Sequence, residues 1–383
     1  MKYLFLILAN LKRKKLRTGL TVLSIMVAFL LFGYLGAIRN AFTAGVEVAG
    51  LDRLIVREKV SLINPLPRNY ESEMEAIEGV DNAAHQSWFG GIYQKPSQFF
   101  PSIAVDPQDY FKLYPDFVLA EDQLKALQDT RTGAIVGRAT AERFGWKVGD
   151  RIPLQSPIWT KKDGSQDWVF DLVGIYDGAE KDTDTSQFFM RYDYFDESRM
   201  WGTGTVGWYT IRIDDPARVA EIVETIDRTF ANSPYETRTE PEGAFVQAFA
   251  NQIGNIGLII SSIVATVFFT ILLVAGNTMA YTVRERTNEL AVLKALGFTD
   301  GGVLGLVLGE SLALTAIGGL LGLGLAWLLV SAGDPTSGSF PVFYIPPMTL
   351  VFGLLLVLAL AFVVGILPAR QAQRLQVAEA LRR

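Results

Sequence analysis

Polar and apolar positions change their spacing abruptly along this chain. Thr18 to Ile38, Gly243 to Val283, Ser311 to Gly333 and Pro335 to Ala369 contain no charged residue. Each run reaches or exceeds the roughly 20 apolar residues that cross a hydrocarbon core. Four such runs predict an integral membrane protein rather than a set of buried soluble helices. The predicted transmembrane spans are 18–38, 253–282, 301–332 and 348–368. Residues 39–252 change to shorter patterns and predict a large α/β extracytoplasmic domain inserted between spans 1 and 2. In it "RLIVREKV" and "SIAVDP" read as strands, and "ESEMEAIEGV" as a short helix closed by Gly79. The stretch from "AIVGRATAERFGWKVGDRIPL" to "WVFDLVGIYDG" predicts strand, helix, turn, strand, loop and strand. Gly145, Gly149–Asp150 and Gly164 set its turns. "WYTIRI", "PARVAEIVETIDRTFA" and "YETRTE" predict a strand–helix–strand unit with Pro216 at the helix start. Two α/β subdomains are expected, the second at about 125–205.

Charge then orients the spans. The chain is 50% hydrophobic with a formal net charge of −5, and nucleic acid is not expected among its partners. Lys2, Lys12, Arg13, Lys14, Lys15 and Arg17 precede the first span. Arg284, Arg286 and Lys294 follow the second, and Arg370, Arg374, Arg382 and Arg383 follow the fourth. The short outer loop, 333–347, has no Lys or Arg. The positive-inside bias therefore places both termini in the cytoplasm of a cell inner-membrane protein. Residues 1–17 resemble a signal peptide at first sight, but their apolar part is too short and "KRKKLR" separates it from a full span. They read better as an amphipathic basic helix on the inner leaflet, its cations near anionic membrane lipids. Residues 369–383 form a cytoplasmic tail.

The absence of cysteine removes disulfides, thiolate metal sites and lipidated cysteines. The single histidine, His85, reads as a surface or half-buried side chain rather than a metal ligand. "PSQFFPSIAVDPQDYFKLYPDF" is unusually aromatic. It suits core packing or subunit contact, with a lipid- or substrate-binding surface as the alternative. In span 3, Gly301, Gly305 and Gly309 recur every four residues, as do Gly318 and Gly322. This spacing fits either a closely packed helix pair or a loose helix. Glu310 lies about two turns into that span. A carboxylate there needs a partner or interfacial water; Arg286 and Lys294 are the nearest cations in sequence, with Lys14, Lys15 and Arg17 as further candidates.

The segment 283–300, "VRERTNELAVLKALGFTD", predicts a short cytoplasmic coupling helix between spans 2 and 3. Val283, Leu290, Leu293 and Leu296 or Gly297 fall near one side, and Arg284, Glu285, Asn288 and Glu289 occupy the rest. Gly297 suits a left-handed C-terminal cap, and Thr299 or Asp300 can cap the next helix. A simple solvated connector is the plainer reading. This stretch, with the span that follows it, resembles the cytoplasmic signature of MacB/FtsX-type ABC transporter permeases. The matching positions are Val283, Glu285, Arg286, Glu289–Leu290, Ala295–Gly297 and Glu310. Leu290–Ala291 stands where the family has Ile-Gly. Pro368, Ala369, Arg370, Ala378, Glu379, Ala380 and Leu381 resemble its closing motif, and "AIVGRATAERFGWKVGD" with "VFDLVGIY" its MacB-like periplasmic domain.

The resemblance implies two copies of the permease, as a homodimer or with a similar subunit, and two copies of an ABC ATPase. ATP and Mg would be bound by that partner, because the chain contains no G-x-x-x-x-G-K-[ST] phosphate loop. Val283, Arg284, Glu285, Arg286, Glu289, Leu290, Leu293, Lys294, Leu296 and Gly297 are the implied ATPase-coupling positions. Gly301, Gly305, Gly309 and Glu310 are the implied packing and coupling positions in the membrane. The family passes ATP-driven closure to its exterior domains by mechanotransmission. Some members work with a periplasmic adaptor and an outer-membrane channel in efflux of hydrophobic, peptide or lipid-type substrates. An export or extraction permease is the leading expectation. A non-transporting regulator of an extracytoplasmic cell-wall enzyme is the alternative, and the large exterior segment favours the first. The chain itself is not expected to be an enzyme, since no Ser/His/Asp set, metal cluster or cofactor motif is visible in it.

Overall fold

The structure is a computed structural model that describes residues 2–48, 52–96, 98–181, 183–252, 256–333 and 343–375. It divides into two compact units, one of Met1–Asn40, Asn255–Gly333 and Phe343–Arg383 and one built on Ala41–Gly254.

In the first unit, four helices among the described residues are long and apolar enough to cross a membrane: Lys15–Ala41, Gly257–Glu285, Asp300–Ser331 and Pro347–Gln373. The chain is a multi-pass membrane protein. β-Branched residues are frequent in the second span, yet it stays helical, because in lipid each backbone group must be satisfied within the segment. Its hydroxyls follow the same rule: Thr266, Thr270, Thr278 and Thr282 each donate to the carbonyl four residues back. The basic helix ends at Arg13, and a new helix starts at Lys15 and continues into span 1. The fourth span runs past Pro368 to Gln373, beyond the expected 368, since Ala369 and Ala372 are fully buried in the bundle. Most of the outer loop, with the closing positions Ala378, Glu379, Ala380 and Leu381, lies outside the described residues.

The α/β unit carries one ten-stranded sheet. Its order is Thr237–Pro241, Arg53–Glu58, Trp208–Ile213, Val80–Trp88, Ser102–Val105, Phe188–Arg191, Gly133–Gly137, Asp167–Gly178 and Phe117–Val118, with Arg151–Gln155 paired to Asp167–Gly178. The expected subdomain at about 125–205 is therefore not a separate layer. Its strands join the rest through the parallel pair Ser102–Val105 and Phe188–Arg191. Alternating side chains build two cores on the two faces of this sheet. Ala83, Ala104, Val136, Phe188 and Met190 enter one core, while Ala84, Ile103, Ile135 and Phe189 enter the other. The aromatic segment is core packing: Phe100 joins the first cluster, and Tyr110, Phe111 and Tyr114 the second. His85 is fully buried rather than half exposed, and its Nδ1 lies 2.7 Å from Glu71 Oε2.

Candidate functional site

The membrane unit places a charged cluster where spans 2 and 3 meet their connecting segment. Span 2 stays helical to Glu285, the chain turns at Arg286, and the connecting helix is Thr287–Ala295. It is shorter than the expected 283–300, because Val283, Arg284 and Glu285 finish the span. Its end is a Schellman motif. Gly297 has φ +97°, Phe298 N–H donates to the Leu293 carbonyl at 3.1 Å, and Gly297 N–H to that of Lys294 at 3.0 Å. Thr299 then caps span 3, its hydroxyl oxygen accepting from Gly302 N–H at 3.1 Å. A side-chain cap of this kind contributes about 1 kcal/mol.

Glu310 is buried and finds its cation in Arg286. Arg286 Nη1 donates to Glu310 Oε1 at 2.8 Å and Oε2 at 3.1 Å, and its Nε donates to Glu289 Oε2 at 3.1 Å. Asn10 Nδ2 donates to Glu310 Oε1. Glu289 also accepts from Arg13, while Glu285 Oε2 accepts from Lys14 Nζ at 2.6 Å and Arg17 Nη1 at 2.9 Å. These residues line a cavity of about 150 Å³ together with Thr18, Thr21, Thr278 and Thr282. Burial alone would lower the Arg286 pKa, but the Glu310 carboxylate and the bonds to Glu310 and Glu289 hold it raised. Burial would raise Glu289, but its bonds to Arg13 and Arg286 outweigh that and leave its carboxyl below the ordinary glutamate value.

Lys294 does not serve Glu310. Its Nζ lies 2.7 Å from Asp300 Oδ1 and donates to the carbonyls of Gln373 at 2.6 Å and Leu375 at 3.0 Å. The connecting helix is thus fastened to span 3 through Arg286 near its start, and to the base of span 4 through Lys294 near its end. Val283, Leu290 and the half-buried Leu293 pack into the bundle. Leu296, expected on that same side, is 75% exposed, and Val292 is 46% exposed. At the capped end the backbone reverses, so Leu296 leaves the stripe that its spacing suggests. Arg284 and Asn288 are exposed as well.

The glycines divide in the same way. A Cβ on Gly301 or Gly305 would meet open space in this chain, whereas one on Gly309 would lie 2.7 Å from Ile7 Cδ1. On Gly322 it would lie 2.3 Å from the Met26 carbonyl oxygen, and on Gly318 2.9 Å from that of Val22. Close approach of spans 1 and 3 therefore uses Gly318 and Gly322. Sequence reasoning missed Gly319 and Gly365, which press on Val357 and Ser311. It also missed Asn10 and the buried Ser311, whose hydroxyl donates to the Ala361 carbonyl at 2.8 Å. Among the described residues no group of three His, Asp or Glu side chains could hold a metal ion.

Four membrane helices, an α/β domain inserted after the first, and a fastened charged helix between the second and third define a multi-pass permease. The chain belongs to the FtsX-like and MacB-like ABC transporter permeases: the FtsX-like permease C-terminal model matches residues 256–377, and the MacB-like periplasmic core domain model matches 18–229. It is 23% identical to the uncharacterized ABC transporter permease MJ1507 of Methanocaldococcus jannaschii, across 97% of this chain and 96% of that protein. It is 36% identical to the uncharacterized permease YknZ of Bacillus subtilis over 36% of this chain and 35% of that one. The pyoverdine export ATP-binding/permease protein PvdT of Pseudomonas putida is 30% identical over 48% of this chain and 28% of its own length. The macrolide export ATP-binding/permease protein MacB of Psychrobacter cryohalolentis is 28% identical over 55% and 33%. This chain thus spans about a third of those two relatives. The solved periplasmic region of MacB from Actinobacillus actinomycetemcomitans aligns with 54% of this chain and 96% of its own, with a TM-score of 0.38 and 12% identity.

Proposed function

We propose that this chain is the transmembrane subunit of an ABC exporter, turning ATP hydrolysis on a separate ATPase subunit into movements of its α/β domain. The observation that carries this reading is the connecting helix, a nine-residue element tied to span 3 by Arg286–Glu310 and to the end of span 4 by Lys294. A load placed on that helix has no slack to take up before the spans feel it. Val292 and Asn288 on this helix, Leu296 at its end and Arg284 just before it are exposed, a mixture of apolar and polar side chains that suits a protein-binding patch. The basic residues flanking spans 1, 2 and 4 support a cytoplasmic position for this patch. The ATPase, with its ATP and Mg, would dock there. The names of PvdT and MacB pair ATP binding with a permease and with export, which favours export over regulation of a cell-wall enzyme. A second permease copy would complete the assembly, and an adaptor and an outer-membrane channel are expected further partners.

Leu296→Asp tests this reading. A charge on a docking face must be desolvated without a partner, at a cost of several kcal/mol. The variant should insert normally, yet lose copurification with the ATPase and lose its stimulation of ATP hydrolysis. Normal assembly and stimulation would remove the connecting helix from the contact.

A further inference from the structure

Within the α/β unit, one buried polar cluster joins the first strand to helix Glu242–Gln252. Strand Arg53–Glu58 follows the helix of span 1, and helix Glu242–Gln252 precedes span 2. The strand leading into that helix, Thr237–Pro241, pairs antiparallel with Arg53–Glu58, placing Leu54 opposite Pro241. Arg53 is 5% exposed and Glu242 8%. Arg53 Nε donates to Glu242 Oε2 at 2.6 Å, and its Nη1 reaches Asp116 Oδ2 at 3.3 Å and the Leu113 carbonyl at 3.4 Å. Tyr114 Oη donates to Glu242 Oε1 at 2.8 Å, and its ring centroid lies 4.7 Å from the Arg53 guanidinium carbon. Arg212, on the neighbouring strand, donates to the same Leu113 carbonyl at 2.6 Å.

Burial of this pair needs a reason beyond stability. Taking two ions out of water is costly, and apolar side chains of similar volume often hold a core as well or better. What a guanidinium adds is direction, because its planar fork accepts partners only along fixed lines. Here the fork, rising from strand Arg53–Glu58, engages the start of the outgoing helix, the 113–116 loop and an aromatic face together. The angle between helix Glu242–Gln252 and the sheet is therefore fixed by bonds rather than by packing alone.

We propose that Arg53, Glu242 and Tyr114 form a clamp that makes helix Glu242–Gln252 move as one body with strand Arg53–Glu58 and its sheet. Its use in coupling rests on the export reading above, but the stiffness does not. Neither Ala244, on the outgoing helix, nor Lys125, on helix Glu121–Asp129 beside the sheet, belongs to the clamp, and both are exposed. The chain has no cysteine, so spin labels at Ala244→Cys and Lys125→Cys report one distance without background. In nanodiscs the parent should give a narrow distance distribution. Arg53→Met/Glu242→Leu, which removes both charges together, should keep a cooperative thermal transition but lose that narrow distribution. It should also lose stimulation of the copurified ATPase. A distribution as narrow as the parent's would overturn the clamp. Should the double variant fail to fold, Glu242→Gln decides alike, since it keeps the volume and removes the charge: broadening supports the clamp and an unchanged width rejects it. A parent that stimulates no ATPase would sink the coupling reading, while the distances would still judge the clamp.

Discussion

At the scale of single residues, Glu310 and the groups that surround it tie the connecting helix to span 3. A carboxylate in an apolar helix needs a partner or interfacial water, and that made Glu310 legible in the sequence while leaving Arg286 one of five candidate cations. Asn10 was not legible, because an uncharged amide inside "LFLILANLK" announces no partner. Leu293 and Leu296 share a spacing that cannot show where the helix stops, so the exposure of Leu296 became visible only with the capped end in place. Arg286→Met leaves Glu310 buried with Asn10 alone, and removing one member of a buried pair costs about 3–5 kcal/mol. Arg286→Met/Glu310→Gln removes the stranded charge and should recover much of that loss. Thermal unfolding of both variants in nanodiscs checks the order, and equal stability of parent and Arg286→Met would show that the pair carries no load.

At the scale of elements, the spans were legible because an uncharged run of their length has few other uses. Strand periods were legible too, and "WYTIRI", "PARVAEIVETIDRTFA" and "YETRTE" fold in the order expected. Pairing was not. Alternation assigns a residue to a face, but nothing local joins Ser102–Val105 to Phe188–Arg191 across more than eighty intervening residues. The strands on either side of that pair therefore read as two subdomains. The glycine rows show the same limit: four-residue spacing says that positions share a face, not that the face meets a neighbour. Gly322→Ala should destabilise the unit, since its Cβ would fall on the Met26 carbonyl oxygen. Gly305→Ala should stabilise it by up to about 1 kcal/mol through helix propensity. Thermal unfolding of the purified protein compares them; a destabilised Gly305→Ala would instead place that face in a contact with another chain.

At the scale of the whole molecule, the proposed function makes this ABC permease a relay, with the connecting helix as the place where its input should arrive. The family was legible in the sequence because the charged turn, the capping glycine and the span glutamate are local features in one short stretch. Substrate recognition left no such local mark. The proposed docking requires that Leu296 face the ATPase. A photo-crosslinking amino acid at Leu296 in intact cells tests it most directly, with the same residue at Leu329, an exposed position in span 3, as the comparison. The expected result is a Leu296-dependent adduct with a protein that carries a G-x-x-x-x-G-K-[ST] phosphate loop, and none from Leu329. Adducts from Leu296 with lipid or the permease alone, in cells where the ATPase copurifies with it, would contradict the claim.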